Sequence, residues 1–173
     1  MIFCGASGKD KAQRGFTLIE LLIAITITGF ISSGIAMGIM QTIATTTRNS
    51  NHTAAIKQVQ NIGHWFERDV KMAQEVQVDE GDSGLPLVLS WVGWDGAEYE
   101  ITYFLEGNEL KRSYSVDGGE PSVLLVAESV DPSLTNCQLV GNMLILEVSV
   151  TVGVGSGAVT ETAVFRAEPR TSR

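Results

Sequence analysis

Arg14-Gly15-Phe16-Thr17-Leu18-Ile19-Glu20 stands directly before an uncharged run, Leu21 to Thr47. That run holds no Asp, Glu, Lys or Arg, and it exceeds the ~20 apolar residues a helix needs to cross a bilayer. Lys9, Lys11 and Arg14 precede it, while only Arg48 lies just after it. Basic residues collect on the cytoplasmic side of a span, so the pattern predicts one span with its N-terminus inside and the rest of the chain outside. A plain anchor does not explain Glu20. A carboxylate in hydrocarbon costs about 3 kcal/mol on insertion scales and usually has a task there. Its position near the end of the span softens the cost, and the dipole favours an acid in the first helical turn.

The run is not uniformly greasy. Thr26, Thr28, Ser32 and Ser33 lie in it, with Gly29, Gly34 and Gly38. Small residues let helices approach closely in lipid, and Gly34 with Gly38 has the small-xxx-small spacing, so this pair is a candidate for helix packing. A competing reading takes Gly34-Ile35-Ala36 as a secretory cleavage site that would release a soluble protein starting at Met37. Glu20 and the continuation of the run past that site argue against it.

With 173 residues, the chain suits one small domain plus an anchor. Its formal charge is −8. Removing residues 1–15 would take away Lys9, Lys11, Arg14 and Asp10, leaving −10. Such a surface repels nucleic acid, which is excluded as a partner of this chain alone. Cys4 would leave with the first 15 residues, and Cys137 would then have no partner for an internal disulfide.

Beyond the span, Ile56, Val59, Gly63, Phe66, Val70 and Ala73 recur in steps of three and four, which predicts an amphipathic helix over 48–80. Glu67 and Lys71 form a favourable i,i+4 pair on another face. The polar run Thr45 to Asn51 is expected to bend or loosen the helix, and Gly81 and Gly84 to end it. After Pro86 the period becomes two. Strands are expected at 87–92, 98–105, 110–116, 123–130, 143–152 and 159–166, with turns at Gly107-Asn108, Asp117-Gly118-Gly119 and Gly153–Gly157. A long helix, membrane-spanning in its first half and amphipathic in its second, packed on an antiparallel β-sheet domain over 81–173, is an α+β fold.

The whole motif from Arg14 to Glu20 resembles the cleavage and methylation signal of the type IV pilin family, which includes the pseudopilins of type II secretion. The resemblance implies a leader over residues 1–15, a transmembrane and assembly helix over 16–47, cleavage between Gly15 and Phe16 by a prepilin peptidase, and N-methylation of Phe16. It implies that Glu20 pairs with the free amine of a neighbouring subunit's first residue during assembly from the bacterial inner membrane. The implied partners are prepilin peptidase, other pilin or pseudopilin subunits, an inner-membrane assembly platform and membrane lipid. Glu67-Arg68-Asp69, Tyr103 to Leu105 through Leu110 to Arg112, and the closing strand ending at Arg166 look like the J-type minor pseudopilins and W-type minor pilins. Type IV pili, type II secretion and DNA uptake all fit these residues.

Catalytic motifs are lacking in the sequence. It has no nucleophile elbow, phosphate loop, CxxC or His cluster, so no catalytic residue, cofactor or metal is expected. His52 and His64 stand apart from other ligands. Asp79-Glu80-Gly81-Asp82 lacks the spacing of a calcium loop. Asp95, Glu98, Asp117 and Glu120 read as solvated turn residues. The alternative function is a single-span or secreted extracytoplasmic binding module that never assembles.

Overall fold

A computed structural model describes residues 15–79, 81 and 83–170. The fold is α+β: one helix, α1 (Leu18–Met72), and eight antiparallel strands in two sheets. The strands are β1 (Glu75–Val78), β2 (Leu87–Val92), β3 (Glu98–Glu106), β4 (Glu109–Val116), β5 (Ser122–Ala127), β6 (Asn136–Val140), β7 (Met143–Val152) and β8 (Val159–Ala167). By compactness the chain divides into Met1–Ile43 and Ala44–Arg173. In the first unit the described chain is helix from Leu18 on, and its side chains are exposed. The second unit holds the core.

The core follows from the two periodicities. From α1, Ala55, Ile62, Phe66 and Val70 are fully buried, which is one stripe of a 3.6-residue repeat. Facing strands bury alternate residues: Leu87 and Leu89 of β2, Ile101 and Tyr103 of β3, and Leu144, Leu146, Val148 and Val150 of β7. The first sheet is a meander in the order β1-β2-β3-β4-β5, and the second is β6-β7-β8. A bridge between Val130 and Val150 links them. Where β8 meets the helix, Phe165 lies so close to Gly63 that a Cβ there would come within 2.3 Å of its ring.

Three expectations need correction. The helix ends at Met72, not near residue 80, because Glu75–Val78 leaves it to pair with β2, with Val76 opposite Leu89. A Val at every second position suits a pleated strand as well as it suits a helix face. Asn136–Val140 forms a strand, β6, that the periodicity did not reveal. Thr45 to Asn51 stays helical. Asn51 Nδ2 donates to the Gly157 carbonyl at 2.9 Å, and His52 Nε2 lies 3.1 Å from Glu161 Oε1. The β7–β8 hairpin therefore holds the segment that composition alone marked as loose.

Gly84 is required by conformation and by space. Gly84 has φ +62°, and a Cβ there would fall 1.8 Å from the Cys137 carbonyl oxygen, a backbone atom. Gly84→Ala is expected to cost about 3 kcal/mol, from backbone strain plus overpacking. Urea unfolding of the full chain in detergent checks this, and an unchanged midpoint would contradict it.

Candidate functional site

The candidate site is the helix start. Thr17 stands immediately before α1, and Glu20 is its third residue. Glu20 Oε2 accepts from the Thr17 N–H at 3.4 Å and from the Thr17 hydroxyl at 3.3 Å, while the Glu20 N–H donates to Thr17 Oγ1 at 3.3 Å. This is a reciprocal capping box, which satisfies helix-start donors that have no partner within the helix. The Thr-x-x-Glu spacing of Thr17 and Glu20 is the sequence signal of this box. Among the described residues, only one oxygen of the Glu20 carboxylate is engaged, so Oε1 stays available to a further donor.

Gly15 and Phe16 precede the helix and are exposed, and nothing lies within 4 Å of a Cβ built on Gly15. The peptide bond between them is therefore open to approach. Residues 1–14, which precede it, lie outside the described residues. Phe16 is 84% exposed, and Leu18, Ile19, Phe30 and Met40 are similarly bare. The helix is long and apolar enough to cross a membrane, and its most apolar window is wholly exposed.

Four hydroxyls of the exposed apolar run bond to carbonyls of their own helix. Thr26 donates to the Leu22 carbonyl at 2.8 Å, Thr28 to Ala24 at 2.7 Å, Ser33 to Phe30 at 2.9 Å and Thr42 to Gly38 at 2.8 Å. Each is satisfied by its own helix, as polar groups in hydrocarbon must be. Gly29, Gly34 and Gly38 have open space where a Cβ would stand. The structure does not bring Glu20 together with Gly34 and Gly38. They lie at different levels of one helix.

Separately, the folded domain holds a buried carboxylate that the periodicity did not single out. Asp69 is fully buried on α1. Its Oδ2 accepts from Arg112 Nε of β4 at 2.6 Å and from the Tyr103 hydroxyl of β3. Its Oδ1 accepts from Arg68 Nε at 3.2 Å, Arg68 Nη2 at 3.1 Å and Arg112 Nη2 at 3.3 Å. Trp65 completes the cluster, with the Arg68 and Arg112 guanidinium carbons 4.0 and 4.8 Å from its ring centroid. Burial opposes the Arg112 charge, but the hydrogen bond and attraction to Asp69 outweigh it and raise its pKa. Burial, then the Asp69 charge and hydrogen bond, hold the Tyr103 phenol well above its ordinary value. These groups are spent on one another. The arrangement pins the helix to the first sheet and offers no free acid or base for chemistry.

Asp95 accepts from the Tyr99 hydroxyl at 2.9 Å, and Asp117 caps the Glu98 N–H at 2.8 Å. Phe66 is core, Trp65 half-buried and His64 exposed. Cys137 is a free, buried cysteine, and burial pushes its thiol up to about 12. Among the described residues no group of three or more His, Cys, Asp or Glu could hold a metal. Glu80 and Asp82 of the acidic loop lie outside those residues.

No curated protein and no solved structure matches the chain. One family model does match, over residues 10–36, and its description is "Prokaryotic N-terminal methylation motif". That span covers Lys11, the whole Arg14–Glu20 motif with its capping box, and the start of the exposed apolar helix. The chain thus carries an N-terminal methylation motif of the kind found on pilin-type precursors, set on a helix long enough to cross a membrane.

Proposed function

We propose that the chain is a minor pilin-like or pseudopilin subunit of a type IV pilus or a type II secretion pseudopilus. Residues 1–15 are its leader, 16–47 its span and assembly helix, and the remainder an extracytoplasmic domain. A prepilin peptidase cuts between Gly15 and Phe16, and the new Phe16 amine is methylated. The span keeps the subunit in the bacterial inner membrane until an assembly platform extracts it. Glu20 then meets a neighbour's Phe16 amine, and Gly34 and Gly38 allow close helix packing in the filament. The chain works by assembly, not by catalysis.

The observation that carries this reading is the methylation motif over residues 10–36, placed on an exposed apolar helix whose first turn holds a carboxylate. Two further features support it. The Gly15–Phe16 bond is exposed, and one Glu20 oxygen is unengaged among the described residues. The J-type or W-type subclass rests on the Glu67–Asp69 and Tyr103–Arg112 segments, which meet at the Asp69 cluster.

Gly15→Leu tests the processing step. The position has open space, so the side chain disturbs nothing in the described chain. The variant is expected to keep residues 1–15 in a host with prepilin peptidase, as the wild type would in a host without it. Intact mass reads both. A wild type of the same mass with and without the peptidase would overturn the processing step.

A further inference from the structure

The first sheet ends on β5, whose outer edge pairs with no strand among the described residues. The outward N–H and C=O groups of alternate residues there form a template for another strand. Sheet edges are usually guarded by charge, proline or a bulge. Here Ser122–Ala127 contains no charged residue; Pro121 lies just before the strand, and the register with β4 shifts at Val126, so both guards sit at the ends and leave the middle open. The far end is closed from within: Val126 and Ala127 are buried, and Asn61 Nδ2 of α1 donates to the Val126 carbonyl at 2.7 Å. The open part is Ser122–Leu125.

Both faces of that part are apolar and bare. Val123 is 55% exposed, Leu125 41% and Leu124 40%. Val123 and Leu125 share one face, and Leu124 points to the other. An added strand would bury all three and satisfy the edge. The backbone edge therefore specifies an extended polypeptide as the occupant, through β-strand addition.

Charge selects which polypeptide. Glu120 and Glu128 flank the strand, are exposed, and form no ion pair among the described residues. A second copy paired antiparallel would set Glu120 of one chain close to Glu128 of the other at both ends. The chain also carries a net −8. Like charges so placed oppose self-pairing. We propose that the outer edge of β5 docks an extended strand of another protein, with alternating apolar residues at its centre and basic residues at its ends. This stands apart from the helix start and does not depend on processing or filament assembly.

The test uses the full chain in detergent micelles and fluorescence anisotropy of labelled peptides. The first peptide has a Val-Thr-Val-Thr-Val centre with two lysines at each end. The second has two glutamates at each end. Two further versions of the lysine peptide are N-methylated at one or the other set of alternate residues, which blocks one hydrogen-bonding edge at a time. The lysine peptide is expected to bind about tenfold more tightly than the glutamate peptide, since two flanking charge pairs change from attraction to repulsion. One methylated version should lose binding and the other retain it. Val123→Lys with Leu125→Lys, both exposed, should weaken the lysine peptide about tenfold with an unchanged melting curve, by placing charge beside charge at the edge. Four results would overturn the proposal: no binding of the lysine peptide, equal binding of the glutamate peptide, binding that neither methylated version weakens, or a chain dimer that the double variant dissolves. Should the double variant unfold, the four peptides decide alone.

Discussion

Asp69→Ala is expected to destabilise the folded domain by about 3–5 kcal/mol, the cost of stripping one partner from a buried ion pair. The substitution removes the acceptor for Arg112, which is only 8% exposed, and for the Tyr103 hydroxyl. Neither can turn to water without opening the packing between α1 and the first sheet. A loss of that size is a large share of the roughly 5–15 kcal/mol that holds a typical domain together. Asp69→Asn keeps the shape and one acceptor oxygen but loses the charge, so its cost should be intermediate. Replacing the pair with apolar residues of similar volume, Asp69→Leu with Arg112→Met, should recover part of the loss, because the desolvation of both charges is then avoided. Urea unfolding of the full chain in detergent measures all three. A cost below about 1 kcal/mol for Asp69→Ala would show that the cluster is an ordinary surface ion pair in effect.

Glu20→Ala is expected to abolish incorporation into filaments while membrane insertion and cleavage proceed. Alanine alone does not say why, because it also removes the capping box with Thr17, worth about 1 kcal/mol at a helix start. Glu20→Gln separates the two roles. Glutamine serves the box as well as glutamate does, but it cannot pair ionically with a neighbour's Phe16 amine. If the carboxylate acts by charge, both variants stay in the membrane fraction and out of sheared filaments. If it acts only as a cap, Glu20→Gln assembles like the wild type, and the pairing role falls.

The helix start was the most legible part of the chain. The basic residues, the Gly15–Phe16 junction, Glu20 and the uncharged run are local, and locality is what a sequence displays. The stripe Gly63, Phe66, Val70, Ala73 and the alternation in β2, β3 and β7 were legible for the same reason. Gly107-Asn108 marked the β3–β4 turn, with Glu106 opposite Glu109. Gly141-Asn142 is the same pair of residues, joining β6 to β7 with Val140 opposite Met143, and it was the missed sign of β6. β1 was hidden because four residues are too few to separate a period of two from 3.6.

The Asp69 cluster was hidden for a different reason. Apart from the adjacent Arg68, its partners lie 34 and 43 residues away, and only the fold brings them together. One clue was present: Asp69 falls three residues after Phe66, on the apolar stripe. An acid there must find a partner or lose its charge. The exposed β5 edge was likewise invisible, because which strand ends a sheet is decided by topology and not by that strand's own residues.

A processed subunit of the proposed kind begins its work at a new N-terminus. Mass spectrometry of the mature protein from its own host tests this most directly. The expected mature chain starts at Phe16 and carries a methyl group on that amine. A chain that starts at Met1 or at Met37 would contradict it, leaving a plain membrane anchor in the first case and a secreted domain in the second.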